Sequence, residues 1–192
     1  MRRSNKERTE SMRLALMAAA RALFVEKGYA DTATPEIASA AGVTRGALYH
    51  HFEDKKALFA AIVAEEARQV GVEIEAKAAG SPNARDALLD GAHGYFDAMA
   101  VPGRTRLLLL EGPAILGIHS LQDMDVEHAE GSLKVGLADL FAATGKDPAL
   151  LDALAQLLSA SFDRAALAIE AGAKRDDYEN AIAALIDGIS IK

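Results

Sequence analysis

The stretch DTATPEIASAAGVTRGALYHHFEDKKALF, residues 31–59, holds two short helical signals separated by a tight turn. Thr32 or Thr34 can cap the first helix, Pro35 sits in its first turn where a missing N–H has no partner to lose, and Gly42 stops it. The second helix is capped by Thr44, sets Leu48 and Phe52 one turn apart, and ends at Glu53-Asp54. Joined through Ala41-Gly42-Val43-Thr44, the two make a helix-turn-helix packed by Ala38, Val43 and Leu48. Spacing alone fits a plain αα-corner equally well.

The outward face separates these readings. With Leu48 and Phe52 inward, Arg45, Ala47, Tyr49 and His50 spread over the other side, with Thr44 and Gly46 at the helix start. The face offers donors and small groups and no carboxylate. Arg45 can fork onto guanine O6 and N7, Thr44 and Ala47 can meet a thymine methyl, and Tyr49 can reach a phosphate oxygen. Gly46 costs about 1 kcal/mol of helix propensity, which suits close approach of a backbone to another molecule. Lys55, at the start of the next helix, adds its ammonium to the first-turn N–H groups and so favours a phosphate. His50 and His51 are poorly placed to share a metal ion, because adjacent helical side chains diverge by about 100°.

Outward from this stretch the chain reads as all-α. It has 192 residues, aromatics are 5%, tryptophan and cysteine are absent, and no run alternates as a strand would. Met12, Leu16, Ala19, Ala20, Leu23 and Phe24 predict a first helix over about residues 8–27. Asp54 caps a fourth helix reaching about residue 79, and further helices are expected near 83–100, 104–118, 123–144, 147–171 and 175–190. The division expected is residues 1–54 as a helix-turn-helix domain and 55–192 as a ligand-binding and dimerisation body. Acidic residues in the first segment and Arg21 within its apolar stretch argue against a targeting peptide, no apolar run is long enough to span a bilayer, and the cytoplasm is the expected location.

The net charge of −7 hides an asymmetry. Residues 1–60 carry ten Lys/Arg against seven Asp/Glu, whereas residues 61–192 carry eleven against twenty-one. A basic head precedes an acidic body, as expected for DNA held by one part and not the other.

Gly28-Tyr29, Thr32, Ile37-Ala38, Ala41-Gly42-Val43, Gly46, Leu48-Tyr49, His51-Phe52, Lys55 and Leu58 together resemble the DNA-binding domain of the TetR family of transcriptional regulators. The resemblance implies a head of three helices and a body of six more that dimerises and holds a ligand cavity. It also implies that Thr32, Tyr49, His51 and Lys55 occupy phosphate-contacting positions, and that Thr34, Thr44, Arg45, Gly46, Ala47 and His50 face base edges. Thr34 followed by Pro35 departs from the family pattern. RTRLLLLEGPAILG, residues 104–117, is similar to a motif of one broad group of TetR relatives, but the tryptophan-bearing segment that often follows is replaced by IHSLQDMDVEHAEG.

In the body, Tyr95, Phe96, Met99, Leu108, Ile115, His119 and Phe162 are candidate pocket residues, since bulky apolar groups with an occasional polar partner suit a small-molecule cavity. Each taken singly is more simply core packing. His119, Asp123, Asp125, Glu127 and His128 read as a solvated acidic segment, because their spacing fixes no coordination geometry; neither a metal nor a cofactor is expected. Apolar stripes near the C-terminus offer Leu154, Leu158, Phe162, Ile182, Leu185, Ile186 and Ile189 as a homodimer interface in a four-helix bundle, with a monomeric core as the alternative.

The function expected is a ligand-responsive, DNA-binding repressor released from a double-stranded operator by a small-molecule effector. An enzyme or carrier on a helical body, or a helical adaptor, are the competing readings. No Cys, Ser/His/Asp or Glu/His pattern at diagnostic spacing supports catalysis.

Overall fold

A computed structural model describes residues 5–117 and 129–190, with side chains from Glu7 onward. The described residues form helices and turns without a strand. In chain order they are α1 (Asn5–Lys27), α2 (Thr34–Ala40), α3 (Arg45–His51), α4 (Lys55–Ala78), α5 (Ala84–Met99), a π-helical segment (Arg106–Glu111) leading into α6 (Gly112–Leu116), α7 (Ala129–Thr144), a 3-10 turn (Pro148–Leu150), α8 (Leu151–Glu170) and α9 (Arg175–Ser190). None of the described helices is long and apolar enough to cross a membrane.

Most boundaries follow local chemistry. Thr44 caps α3 by accepting the Ala47 N–H at 3.1 Å, and Asp54 caps α4 by accepting that of Ala57 at 2.6 Å. The cap of α2 differs from expectation: it is Ala33, without a side-chain bond, because Thr32 turns inward and Thr34 already belongs to the helix. At the other end of α2, Gly42 adopts φ +69°, which lets its N–H reach Ser39 O and that of Val43 reach Ala38 O. These two bonds form a Schellman motif and aim the chain into α3. The segment expected as a helix over 104–118 instead begins in π geometry. Pro113 has no N–H for the carbonyl one turn back and its ring crowds that group, so a wider turn precedes it. The expected beginning of the 123–144 helix lies outside the described residues.

The chain forms two compact units that do not divide at residue 54. The first comprises the described residues through Glu65 together with Arg106–Gly117, and the second the remainder, Glu66–Thr105 and 129–190. The first unit is built on Leu16, Phe24, Ile37, Leu48, Leu58, Phe59 and Leu107, all fully buried. The rings of Phe24, Tyr29 and Phe59 meet at 5.0–5.6 Å. α4 contributes Leu58, Phe59, Ile62 and Val63 to this core and continues into the second unit.

In the second unit α5 packs on α7 and α9, and α8 packs on α7. Leu88, Phe96, Leu137, Leu140, Phe141, Leu158 and Ile186 fill the interior. Gly94 permits α5 to lie close on α4, for a Cβ there would come within 2.9 Å of Lys77 Cβ and 3.1 Å of Ile74 Cα. Arg104 and Glu66 are buried charges of this unit, and Arg104 is the hub of their contacts. It donates to Glu66 at 2.8 Å, to Glu73 at 3.0 Å and to the Ala98 carbonyl at 2.8 Å, tying the chain after α5 to α4. Arg104 and Glu66 are both buried, so neither can exchange its partner for water. Arg104→Met is expected to cost about 3–5 kcal/mol in urea unfolding at fixed protein concentration, because buried Glu66 keeps its charge and loses the guanidinium beside it, and Glu66→Met added to it should recover a large part of the loss.

Candidate nucleic-acid interface and ligand cavity

α3 is only seven residues long and is held by what it buries. Leu48 is fully buried and Phe52 nearly so, while the guanidinium of Arg13 lies 5.4 Å from the Phe52 ring. The opposite face is left open: Thr44, Arg45, Gly46, Tyr49 and His50 are exposed, with Ala47 and His51 half-buried at its margins. Tyr49 shares a hydrogen bond with Thr34 of α2 at 3.2 Å, and Arg45 stands 5.5 Å over its ring. The Thr34 hydroxyl, and after it the Arg45 guanidinium, hold the Tyr49 phenol below its ordinary pKa. The rings of His50 and His51 are 5.6 Å apart and splayed. Thr34, Thr44, Arg45, Gly46, Ala47, Tyr49 and His50 thus form one contiguous surface of donors and small groups.

Two residues expected at phosphates have other duties here. Thr32 is 1% exposed, and its hydroxyl donates to the carbonyl of Gly28 at 2.8 Å, so its side chain has nothing to offer a phosphate. Lys55 donates to the carbonyls of Tyr29 at 2.8 Å and Thr32 at 2.9 Å, with its ammonium 4.2 Å from the Tyr29 ring. Of its three N–H donors, one remains for a ligand.

The sequence reading missed a support for this loop from the 106–117 segment. Glu111 accepts the Tyr29 N–H, at 3.4 and 3.3 Å to its two oxygens, and pairs with Arg106 at 2.7 Å. The repeated leucines mark that segment as apolar, but nothing in their spacing points to Tyr29.

The second unit contains a cavity of about 500 Å³ between α4, α5, α7 and α8. Of the residues expected to line it, Tyr95 and Phe162 do. Phe96 and Met99 are buried but absent from its wall, and Leu108 and Ile115 belong to the other unit because the chain carries residues 106–117 there. His119 lies outside the described residues. Asp163, which periodicity places beside an apolar stripe, lines the cavity and accepts the Tyr95 hydroxyl at 2.8 Å. Burial pushes its carboxyl above the usual carboxylate range, against the Tyr95 hydrogen bond.

The residues expected at a dimer interface divide by burial. Leu158, Phe162, Ile182 and Ile186 point into the subunit's own core and are 7% exposed or less, which removes them from any surface. Leu154 and Ile189 are half-buried. Leu185 is 49% exposed, and with Leu157, 65% exposed, it marks an apolar outer face on α9 and α8.

The family model of bacterial regulatory proteins, tetR family, matches residues 16–62, and that of a tetracyclin repressor-like C-terminal domain matches residues 85–190. The transposon Tn10 TetC protein of Escherichia coli is 30% identical over 156 residues, 81% of this chain and 79% of that protein. The A-factor receptor protein of Streptomyces griseus is 32% identical over 168 residues, covering 86% of this chain but 57% of the receptor. A TetR-family transcriptional regulator from Pectobacterium atrosepticum, known from a crystal structure, superposes with a TM-score of 0.75 at 28% identity over 99% of both chains.

The Lys55 geometry generates a test that needs no DNA. Lys55→Met is expected to lower the free energy of unfolding by about 1.5–3 kcal/mol, through loss of two bonds to a charged donor. Unchanged stability in chemical denaturation would assign the lysine to ligand contact alone.

Proposed function

The chain belongs to the TetR family of bacterial regulatory proteins, and on that premise we propose that it is a cytoplasmic, homodimeric repressor released from its operator by a small molecule. The observation that carries the reading is the exposed face of α3, where Thr44, Arg45, Gly46, Tyr49 and His50 stand clear of any carboxylate on the same helix. Arg45 serves as the base-reading side chain, Thr44, Ala47 and His50 flank it, Thr34 reaches in from α2, and Tyr49, His51 and the remaining N–H of Lys55 meet phosphates. No chemical step is required of it.

Dimerisation through the outer faces of α8 and α9 is supported by exposed Leu157 and Leu185. Two copies then present their heads to half-sites about one helical turn, or a multiple of it, apart. An effector in the cavity of the second unit favours a dimer conformation whose heads no longer match that spacing. Its power is limited to its differential affinity for the two conformations, typically about 1–3 kcal/mol, and operator DNA must weaken effector binding by the same factor.

Selection of an operator from random duplexes, followed by anisotropy titration at two salt concentrations, tests the reading. The wild type is expected to prefer the selected duplex strongly and to lose affinity steeply with salt. Arg45→Ala is expected to cost about 1–3 kcal/mol on that duplex and to relax preference at one base pair. Equal losses on random DNA would remove Arg45 from base reading. Separately, Leu157→Glu and Leu185→Glu should each give a folded monomer with weak operator binding, and an intact dimer in sedimentation of both variants would rule out this interface.

A further inference from the structure

The cavity of the second unit has a sign. Its ionisable lining residues are Glu75, Asp139 and Asp163, and among the described residues no Lys, Arg or His joins them. Lys134 lies between the lining residues Leu133 and Val135 but is ion-paired with Asp152. The remaining wall is aliphatic, aromatic or small.

Asp163 is the informative member. Its one hydrogen bond among the described residues comes from the Tyr95 hydroxyl, and no cation pairs with it. A half-buried carboxylate without a counter-ion among the described residues leaves a negative charge facing the cavity. Aromatic surface lines the same cavity: the rings of Tyr95 and Phe162 are 5.2 Å apart. A half-buried acid beside such rings offers an organic cation both a counter-charge and π faces, while the apolar wall receives hydrocarbon. Among the described lining residues an anionic ligand finds no matching positive charge.

We propose that this cavity takes a lipophilic organic cation, with the charged centre at Asp163 and Tyr95 and the apolar body against Leu88, Ala92, Leu133 and Phe162. The inference rests on the reading of the cavity as the effector site and adds the class of effector. Glu75, which accepts a hydrogen bond from Ser132 at 3.1 Å, and Asp139 contribute longer-range attraction at the margin.

Calorimetry on the full-length protein with tetraphenylphosphonium and tetraphenylborate, ions of similar size and opposite charge, tests the proposal, with benzyltriethylammonium as a smaller cation. At least one cation is expected to bind about tenfold or more tightly than tetraphenylborate, and Asp163→Asn to remove about that factor. Asp163→Asn should melt at or above the wild-type temperature, because it discards an unpaired charge, so its loss of binding is not a loss of fold. Glu75→Gln should weaken cation binding by a smaller factor. Failure of both cations to bind, equal or tighter binding of tetraphenylborate, or unchanged cation affinity in Asp163→Asn overturns the proposal. Operator titration keeps the two readings apart. Release of DNA by a neutral or anionic compound upholds the repressor and overturns the cation assignment. Cation binding that depends on Asp163 yet leaves operator affinity unchanged upholds the site and overturns its role in release.

Discussion

Backbone polar groups removed from water must be paired, and the loop from Gly28 to Thr32 meets this demand with side chains from three parts of the chain. Lys55 donates to two of its carbonyls, Glu111 accepts an N–H, and the Thr32 hydroxyl closes back onto Gly28. The loop fixes where α2 begins, α2 fixes the turn at Gly42, and the turn fixes the direction of α3. A seven-residue helix has little stability of its own. Its orientation therefore depends on Leu48 and Phe52 beneath it and on the loop that positions α2 beside it.

That dependence explains the division of labour on α3. The apolar packing is all on the buried side, so the outer side is free of it and can be spent on polar groups and a glycine. In the second unit the division is different. Apolar residues lie on both the inner and outer faces of α8 and α9, and small residues leave space between α4, α5, α7 and α8. Fixed ion pairs such as Arg104 with Glu66 stiffen that unit around the space.

What could be read from the sequence follows from how local each feature is. Thr44, Asp54 and Gly42 act on neighbours three or four residues away, and the helices they bound were legible. The outward set from Thr44 to His50 was legible for the same reason, since helical periodicity alone sorts it from Leu48 and Phe52. Lys55 could be placed at a helix start, but the carbonyls it binds lie 23 and 26 residues earlier. Thr32 and Thr34 are chemically identical in the sequence and only the fold decides which turns inward. The stripes on α8 and α9 mixed Leu158 and Ile182 with Leu185, because a helix with two apolar faces gives one broad signal. Leu108 and Ile115 were assigned to the wrong unit since nothing in an apolar run says which core it will join. Asp163 was not singled out, because its partner Tyr95 lies 68 residues earlier.

The allocation of residues 106–117 has a bearing on how such proteins exchange parts. Leu107 is fully buried in the first unit and Glu111 holds the Tyr29 N–H, so the head is assembled from two stretches separated by forty residues of the other unit. Recombination that joins the first 65 residues to a foreign body leaves that N–H without Glu111 and a hole where Leu107 stood. Heads of this build are inherited whole only when the 106–117 segment travels with them, so exchanging a head alone takes three junctions, after residues 65, 105 and 117, rather than one.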